Sequence, residues 1–242
     1  SPSYYGTSLQ LKEISRFCTQ NDLALLVDEA HGSHFPFHPE LPTPALEAGA
    51  DAVVNGLHKS LPVFNQGACL HIAETCNFAQ DIKSAISLIT TTSPSFPILA
   101  SMDVARSVME EEGEYLLEKA LNLSDKYKKK INAIKGLKSL TIEFKETEGV
   151  EDVDPLKVLV LINKLSINGY ELAHILRENY SIQVELAEES AILAMFSVFH
   201  DEDDWAKFYK ALRNIAGQYY DNQVNRATFT RESVLPLPKV II

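Results

Sequence analysis

The sequence predicts an α/β protein, in which a domain built on a parallel β-sheet is followed by a smaller α+β domain. Short, nearly continuous apolar runs alternate with helical patterns in the first part of the chain, and this alternation is typical of parallel strands covered on both faces. A length of 242 residues suits one large core and part of another, because single cores rarely grow beyond roughly 250 residues. From about residue 138 onward, the elements fit a smaller domain.

The first elements are a helix and three short strands. Apolar residues recur at helical spacing between residues 9 and 21, and residues 23–27 form a continuous apolar run that predicts a buried strand. Residues 52–54 and 68–73 repeat the strand pattern. The order helix, strand, strand, strand therefore begins the chain.

Asp28 and Lys59 follow the first and the second of these strands. In open parallel sheets, ligands bind outside the carboxyl ends of the strands. Lys59 also lies between Leu57 and Leu61 in a nearly uncharged stretch, where a solvated surface lysine is less expected. We therefore expect Asp28 and Lys59 to line one crevice.

The second half of the chain begins with a long helical layer. Residues 77–136 have helical patterning, which the loop at Thr90–Pro94 and a break near Gly113 interrupt. Beyond this layer we predict four strands and two helices: strands at 140–144, 157–162, 182–186 and 192–198, and helices at 169–179 and 203–216. The last helix carries Trp205 on an apolar face, which indicates a core position.

Three regions follow from this order of elements: the C-terminal portion of a large domain at residues 1–137, a small α+β domain at 138–235, and a linker or truncated tail at 236–242. The chain opens in turn-like residues without an initiator methionine, and it closes in an extended proline-containing segment. We therefore expect it to be the central part of a longer protein.

Charge and composition argue against several classes of protein. A net charge of −11 gives no electrostatic footprint for nucleic acid, because binding to the phosphate backbone depends on Lys and Arg. No apolar run approaches the roughly 20 residues that span a bilayer, and no signal sequence is visible. The three cysteines, Cys18, Cys69 and Cys76, have no CxxC spacing, which favours a reducing compartment and hence the cytoplasm.

The segment from Leu25 to Gly32 contains Asp-Glu-Ala-His and allows two interpretations. In a helicase motif the acidic pair would hold magnesium at a strand end, but the acidic charge and the lack of an arginine-rich helicase signature argue against this class. In a pyridoxal phosphate site, Asp28 would keep the pyridinium nitrogen of the cofactor protonated. Lys59, preceded by His58, would then form the Schiff base.

His31, His34 and His38 are spaced in a way that suggests a metal cluster. Zinc sites do use histidines at short spacing. However, Phe35-Pro36-Phe37 and Pro39 break any helix that would align the three rings, and no nearby cysteine or carboxylate completes the set. We therefore predict no metal site. His31 and His34 are interpreted as residues around a cofactor or substrate, and His38 as a surface residue.

A set of short motifs, spread over nearly the whole chain, carries a family resemblance. The motifs are Ser1 to Gly6, Leu26 to Gly32, His58 to Pro62 with Gln66-Gly67, Thr91 to Ser95, Asp154 to Lys157, Gly169 to Leu172 and Val184 to Ala187. In this order they resemble the pyridoxal-phosphate-dependent Orn/Lys/Arg decarboxylase family. The ordered set supports this assignment better than any single motif does.

The resemblance implies a fold of the aspartate-aminotransferase type. It also implies α-decarboxylation of arginine, lysine or ornithine, which belongs to polyamine metabolism. Lys59 would form the Schiff base with pyridoxal 5'-phosphate, and Asp28 would hold the ring nitrogen. His31 would lie against the cofactor, and His58 would lie near its phosphate.

Residues further along the chain would complete the site. By the same resemblance, the loop of Thr91, Thr92 and Ser93 would reach a phosphate in the neighbouring subunit, since sites of this family form across a dimer. A basic substrate also needs an anion for its distal group, and Glu185 at a predicted strand end is the candidate. The alternative for Glu185 is an ordinary exposed acidic residue. His34 is placed at the substrate.

Two departures from the family pattern keep other hypotheses open. The family usually has a serine three residues before the Schiff-base lysine, where this chain has Gly56, and the family's cofactor-binding glycine loop belongs to a region before Ser1. One alternative is a catalytically silent paralogue that acts as a binding or regulatory partner. Another is a different enzyme of the same fold, such as an aminotransferase, because those enzymes also place an aspartate before a lysine.

Overall fold

The computed structural model describes residues 1–140 and 147–224. Within these residues the strands are β1 (Thr7–Leu9), β2 (Leu26–Asp28), β3 (Ala52–Asn55), β4 (Cys69–Ile72), β5 (Lys138–Leu140), β6 (Val150–Val153), β7 (Lys157–Leu161), β8 (Leu186–Ala187) and β9 (Ala191–Met195). The helices are α1 (Leu11–Gln20), α2 (Ala79–Ile89), α3 (Phe96–Asn132), α4 (Gly169–Tyr180) and α5 (Glu202–Tyr219). Two 3-10 turns, at Phe35–Phe37 and Leu57–Lys59, lie in the loops after β2 and β3. No helix in this described part of the chain is long and apolar enough to cross a membrane.

The first sheet has the strand order β2-β3-β4. β2 and β3 run parallel, with Leu26 opposite Ala52 and Asp28 opposite Val54, which confirms the arrangement predicted for these two strands. The prediction is wrong for β4, which runs antiparallel to β3. A parallel connection needs a crossover, usually a helix, whereas residues 56–68 form a 3-10 turn and loops.

One face of this first sheet packs on α1. Leu11 of α1 joins Val27 and Val53 in a buried cluster. On the opposite face Leu26 and Val54 are exposed, because successive side chains of a strand point to opposite faces. Within the described residues this second face of the sheet is therefore uncovered, and the prediction of a sheet covered on both faces stays a prediction.

The predicted helical layer consists of α2 and the long α3. The loop at Thr90–Pro94 separates the two helices, as the sequence predicts. The break near Gly113 is wrong, because α3 continues through it. A Cβ at Gly113 would lie 3.3 Å from Phe37 Cβ and 3.0 Å from Met109 Cε. The glycine therefore lets α3 approach the turn after β2 closely, and it does not end the helix.

The second sheet has the strand order β5-β7-β9-β8, and all its neighbouring strands are antiparallel. β7 is buried along its whole length. One buried cluster packs the sheet against α3, α4 and α5, and a smaller cluster covers part of the other face. Trp205 of α5 is fully buried and stacks on Phe196, with ring centroids 3.6 Å apart. Its predicted core position is confirmed.

One strand prediction is tested only in part, and another is confirmed only in part. The strand predicted at residues 140–144 is described only up to the end of β5, because residues 141–146 lie outside the described range, as does the predicted tail at 236–242. The strand predicted at 182–186 is limited to the short β8. Just before β8, the backbone N–H of Glu185 donates to a carbonyl of β9 at 2.9 Å.

The N-terminal segment forms a strand that the sequence analysis did not predict. β1 pairs antiparallel with β6, and Thr7 lies opposite Val153. The turn that precedes β1 packs on the start of β7, where a Cβ at Gly6 would lie 2.8 Å from Lys157 Cγ. This pairing brings the first residues of the chain close to the second sheet.

The long helix α3 contributes to the buried clusters of both halves. Met109 and Leu117 pack in a cluster with the loops after β2 and β3, whereas Tyr127 and Ile131 pack in the cluster of the second sheet. The division of the chain near Lys138 stays a prediction, because α3 is continuous between these clusters.

Candidate active site

Asp28 and Lys59 lie at the carboxyl ends of the two parallel strands. Asp28 is the last residue of β2, and Lys59 ends the 3-10 turn that follows β3. Asp28 Oδ1 accepts a hydrogen bond from the Ala30 N–H at 2.9 Å, and both Asp28 and Lys59 are exposed. The structure therefore brings a carboxylate and an amine to the same edge of the sheet.

Close backbone packing shapes the turn that carries Lys59. Gly56 is buried, and a Cβ at this position would lie 2.9 Å from the Ala30 carbonyl oxygen and 3.2 Å from Lys59 Cδ. A serine at position 56 would therefore require the loop after β2 or the lysine stem to move. His58 is held by the Gly67 carbonyl oxygen, which lies 3.2 Å from its backbone nitrogen and 2.9 Å from its Nδ1.

His31 bridges two lysines. Its Nε2 lies 3.3 Å from Lys59 Nζ, and its Nδ1 lies 3.1 Å from Lys157 Nζ. Burial and the positive charges of Lys157 and Lys59 lower the pKa of His31 to about 4, although Glu185 and Asp28 act in the opposite direction. The imidazole is therefore uncharged near neutral pH.

Lys157, the first residue of β7, is a site residue that the sequence analysis missed. It is buried, and its Nζ also lies 3.1 Å from Met195 Sδ. Burial lowers the pKa of Lys157, although Asp154 and Glu185 raise it. A signal was present in the sequence, because Asp154 to Lys157 is one of the motifs of the family resemblance, but the motif itself gives no partner for the lysine.

Tyr4 connects the N-terminal segment to this cluster. Its ring meets the His31 ring edge-on, with centroids 5.1 Å apart, and Lys157 Nζ lies 5.6 Å from its centroid. The Tyr4 hydroxyl donates a hydrogen bond to the Glu185 carboxylate. This hydrogen bond, followed by burial, raises the pKa of Tyr4. Glu185 is therefore part of the cluster around His31, on its exposed side.

Glu29 supports the loop after β2 from the interior of the protein. Its buried carboxylate accepts hydrogen bonds from the Ala45 N–H at 2.8 Å and from Asn55 Nδ2 at 3.3 Å. Burial raises the pKa of Glu29, and these two hydrogen bonds oppose the increase. The two adjacent carboxylates therefore differ in position, because Asp28 is exposed at the sheet edge and Glu29 lies inside the protein.

His34 is buried next to Asp154. Both side chains are buried, and His34 Nε2 lies 3.3 Å from Asp154 Oδ2. Burial by itself raises the pKa of Asp154, but His34, the Leu156 N–H at 2.9 Å and Lys157 together hold it below its ordinary value. This contact ties the loop after β2 to the turn before β7. The substrate contact of His34 stays a prediction.

His38 is buried, so its assignment as a surface residue is wrong. Its Nε2 lies 3.0 Å from Glu118 Oε2, because α3 packs over the turn after β2. His31, His34 and His38 consequently face different partners. In the two described stretches, no three His, Cys, Asp or Glu side chains are grouped in a way that could hold a metal ion.

The loop of Thr91, Thr92 and Ser93 is exposed between α2 and α3. The Ser93 N–H donates to Thr91 Oγ1 at 3.1 Å. The hydroxyl of Thr91 is thereby used within the loop. The cofactor contact of this loop across a dimer stays a prediction.

The family model described as Orn/Lys/Arg decarboxylase, major domain, matches residues 1–204. The chain belongs to the Orn/Lys/Arg decarboxylase family. An arginine decarboxylase of Halalkalibacterium halodurans is 37% identical over 216 residues, which are 89% of this chain and 44% of that relative. An arginine decarboxylase of Bacillus subtilis is 34% identical over 224 residues, which are 93% of this chain and 46% of the relative. The chain thus spans about half the length of these curated relatives.

Solved structures confirm the predicted fold class for this member of the Orn/Lys/Arg decarboxylase family. The lysine decarboxylase LdcF of Francisella novicida has a TM-score of 0.71 at 21% identity, covering 89% of this chain and 35% of that chain. The ureidoglycine-glyoxylate aminotransferase of Bacillus subtilis has a TM-score of 0.68 at 16% identity, covering 88% of this chain and 58% of that chain. Identities this low show the fold alone, which is the fold type I of pyridoxal phosphate enzymes.

The residues at the sheet edge fit the cofactor that the Orn/Lys/Arg decarboxylase family implies. Pyridoxal phosphate needs an amine for its aldehyde and an anion beside its ring nitrogen. Lys59 supplies an exposed amine and Asp28 an exposed carboxylate at the neighbouring strand end. His31 adds an uncharged ring within 3.3 Å of the amine. These are the donor types that such a site requires.

Proposed function

We propose that the protein containing this chain is a pyridoxal-phosphate-dependent decarboxylase of arginine, lysine or ornithine. The observation that carries the proposal is the position of Lys59 Nζ, 3.3 Å from His31 Nε2, at the sheet edge that also carries Asp28. Family membership and relatives named arginine decarboxylase support the reaction class and a basic substrate. The amine products of such a reaction belong to polyamine metabolism.

In this proposal the chain's residues hold and orient the cofactor. Lys59 binds it through the amine, and Asp28 faces the ring nitrogen, which a carboxylate keeps protonated. When bound, pyridoxal phosphate supplies an acceptor for the electron pair that departing carbon dioxide leaves behind. His31 lies against the cofactor as an uncharged ring, and His58 lies near its phosphate.

Glu185 is the proposed anion for the distal cationic group of the substrate. It is exposed and belongs to the cluster around His31, and its carboxylate is oriented by the Tyr4 hydroxyl. This anion would also offset the positive charge of Lys157 in the same cluster. The burial of His34 beside Asp154 favours support of the loop over direct contact with the substrate.

We further propose a cytoplasmic homodimer or higher homo-oligomer. Thr91, Thr92 and Ser93 are exposed, which leaves them accessible to the cofactor phosphate of a neighbouring subunit. Cys18 and Cys69 are free thiols, as expected in a reducing compartment. With a net charge of −11, we expect no nucleic-acid partner.

The test is reductive trapping on the full-length protein. Borohydride treatment in the presence of pyridoxal phosphate, followed by proteolysis and mass spectrometry, is expected to place a phosphopyridoxyl group on Lys59. The protein is expected to release carbon dioxide from at least one of the three basic amino acids. Lys59→Ala should abolish both signals because it removes the amine that ends the turn after β3. Lys12→Ala, which removes an exposed lysine of α1, should retain both.

The outcomes separate this proposal from its alternatives. Label elsewhere than on Lys59 contradicts the assignment of the cofactor lysine. A colourless protein that releases no carbon dioxide from arginine, lysine or ornithine supports the catalytically silent paralogue. Formation of a keto acid without an amine product supports an aminotransferase.

A further inference from the structure

Lys157 is the first residue of β7, and its side chain contacts the loop after β2. The residue is only 3% exposed. Its Nζ lies 3.1 Å from His31 Nδ1, 3.1 Å from Met195 Sδ and 5.6 Å from the centroid of the Tyr4 ring. Burying an ammonium group is costly unless it is paired. The ring nitrogen, the sulfur and the aromatic face are the partners that this site provides.

The aliphatic part of the Lys157 side chain is also closely packed. Gly6 has a φ of +92°, and a Cβ there would lie 2.8 Å from Lys157 Cγ and 3.2 Å from Asp154 Cβ. Only a glycine suits this turn, because the backbone is left-handed and the lysine stem already fills the space. The N-terminal turn therefore closes over Lys157 and directs its Nζ toward His31.

The hydrogen-bonding capacity of an uncharged imidazole determines where its proton sits. One ring nitrogen donates and the other accepts, whereas a lysine ammonium only donates. Burial lowers the pKa of Lys157, and the neighbouring Asp154 and Glu185 carboxylates oppose this shift. With Lys157 as an ammonium paired with these carboxylates, Nδ1 of His31 accepts from it, so the ring proton is on Nε2. That nitrogen lies 3.3 Å from Lys59 Nζ.

We propose that Lys157 is a positioning residue that holds His31 as an uncharged ring with its single N–H on Nε2, directed at Lys59. The catalytic meaning of this arrangement rests on the function proposed above. An Nε2–H can donate to Lys59 Nζ only while that nitrogen has a free lone pair, and an amine with a free lone pair is the form that attacks an aldehyde. Lys157 thereby acts on Lys59 through His31.

Every segment packed around His31 contributes a titratable or charged group. These groups are Tyr4, Asp28, Lys59, Lys157 and Glu185. Lys157 differs from the others because it is buried and contacts Nδ1 directly, while Lys59 contacts Nε2. The two carboxylates favour a charged ring and the two lysines oppose it, so removing Lys157 shifts this balance toward protonation.

Lys128 of α3 provides a matched comparison. It is also a buried lysine near Asp154, but its Nζ donates to the Pro155 carbonyl at 2.6 Å. Lys128 therefore supports the turn before β7 through a backbone carbonyl, whereas Lys157 contacts His31. A role in His31 protonation belongs to Lys157 alone of these two residues.

The test is nitrogen NMR of the full-length protein, labelled with [15N]histidine and studied before cofactor is added, with His31 assigned from the spectrum of His31→Gln. In the wild type we expect a proton on Nε2, an unprotonated Nδ1 and a titration near pH 4. Lys157→Met should raise the pKa of His31 toward its ordinary value of about 6.5 and weaken the preference for Nε2–H. Lys157→Arg should restore both features, and Lys128→Met should leave them unchanged.

The wild-type spectrum alone can overturn the proposal, whether or not Lys157→Met folds. A proton on Nδ1 in the uncharged ring contradicts it, as does a His31 titration that Lys157→Met leaves unchanged. Reductive trapping on Lys59 provides the separate measurement of the proposed function. If His31 has its proton on Nε2 but Lys59 is not trapped, the proposed function is refuted and the role of Lys157 is retained. If Lys59 is trapped but the His31 proton is on Nδ1, the function is retained and the role of Lys157 is refuted.

Discussion

The first sheet, β2-β3-β4, and the second sheet, β5-β7-β9-β8, bury their side chains to different degrees. Every residue of β7 is buried, whereas Leu26 of β2 is 63% exposed and Val54 of β3 is 44% exposed. Asp28 ends β2 and Lys59 follows β3 in the first sheet, whereas Lys157 is the first residue of β7 in the second. Asp28 and Lys59 therefore lie on the sheet with an open face, and Lys157, the proposed positioning residue, lies on a buried strand.

The helices of the two regions also differ, because only those of the second region begin with a side-chain cap. In α1, α2 and α3 the residue before the helix makes no side-chain hydrogen bond to the first turn. In α4 and α5, Asn168 and Asp201 each form a capping box with an acidic residue of the first turn. Because caps and buried apolar groups both stabilise the folded state, we expect the second region to provide most of the stability.

The largest expected effect separates the two sheets directly. Leu193→Ala in β9 removes a side chain that is 0% exposed and should lower the free energy of unfolding by about 2–5 kcal/mol, through lost burial and a cavity. Leu26→Ala on the open face of β2 should change it by no more than about 0.5 kcal/mol. Denaturant unfolding of both variants checks this difference. Equal losses would show that the open face is as important for stability as the closed one.

A smaller effect concerns the pH dependence at the junction of the two regions. The pKa of His31 in the folded chain is about 4, below the ordinary value of about 6.5. The unfolded chain therefore binds the proton first, so stability present above about pH 6.5 is lost as the pH falls toward about 4.

Denaturant unfolding at pH 7 and pH 4.5 measures this contribution. Because His31 is only half-buried, we expect the wild type to lose more stability over this interval than His31→Gln does, by an amount on the order of 1–2 kcal/mol. Parallel pH curves for the two proteins would show that burial and the two lysines do not lower the pKa of His31.

The smallest effect concerns the caps. Asp201→Ala removes the side chain that accepts hydrogen bonds from the first turn of α5 and should cost about 1 kcal/mol of stability. Ser95→Ala before α3 removes a side chain that makes no such hydrogen bond, so it should cost at most a few tenths of a kcal/mol. Thermal and denaturant unfolding measure both changes. A larger loss for Ser95→Ala would contradict the contrast between the regions.

Local features of the fold could be predicted from the sequence. The apolar runs before Asp28 and before Lys59 specify the two parallel strands β2 and β3, and the periodicity around Trp205 specifies an amphipathic helix. Both signals act within a few residues of the chain, so they do not depend on tertiary contacts. The ends of these strands also follow from local pattern, and this places the carboxylate and the amine at the same edge.

Features set by distant contacts could not be predicted. The contact between His31 and Lys157 joins residues 126 positions apart, and the one between Tyr4 and Glu185 joins residues 181 positions apart. Gly113 indicated a helix break by its intrinsic preference, but close packing on another element decides its role. Composition and spacing carry no information about such neighbours, and a motif shows only that a residue belongs to a set.

The continuous helix α3 has a consequence for how the molecule unfolds. A helix from Phe96 to Asn132 is about 55 Å long at 1.5 Å per residue, and it supplies buried side chains to a separate cluster near each end. Loosening one cluster removes partners from the same helix that supports the other. The loops after β2 and β3 and the second sheet therefore share one helix, and we expect a packing defect in either cluster to destabilise the other.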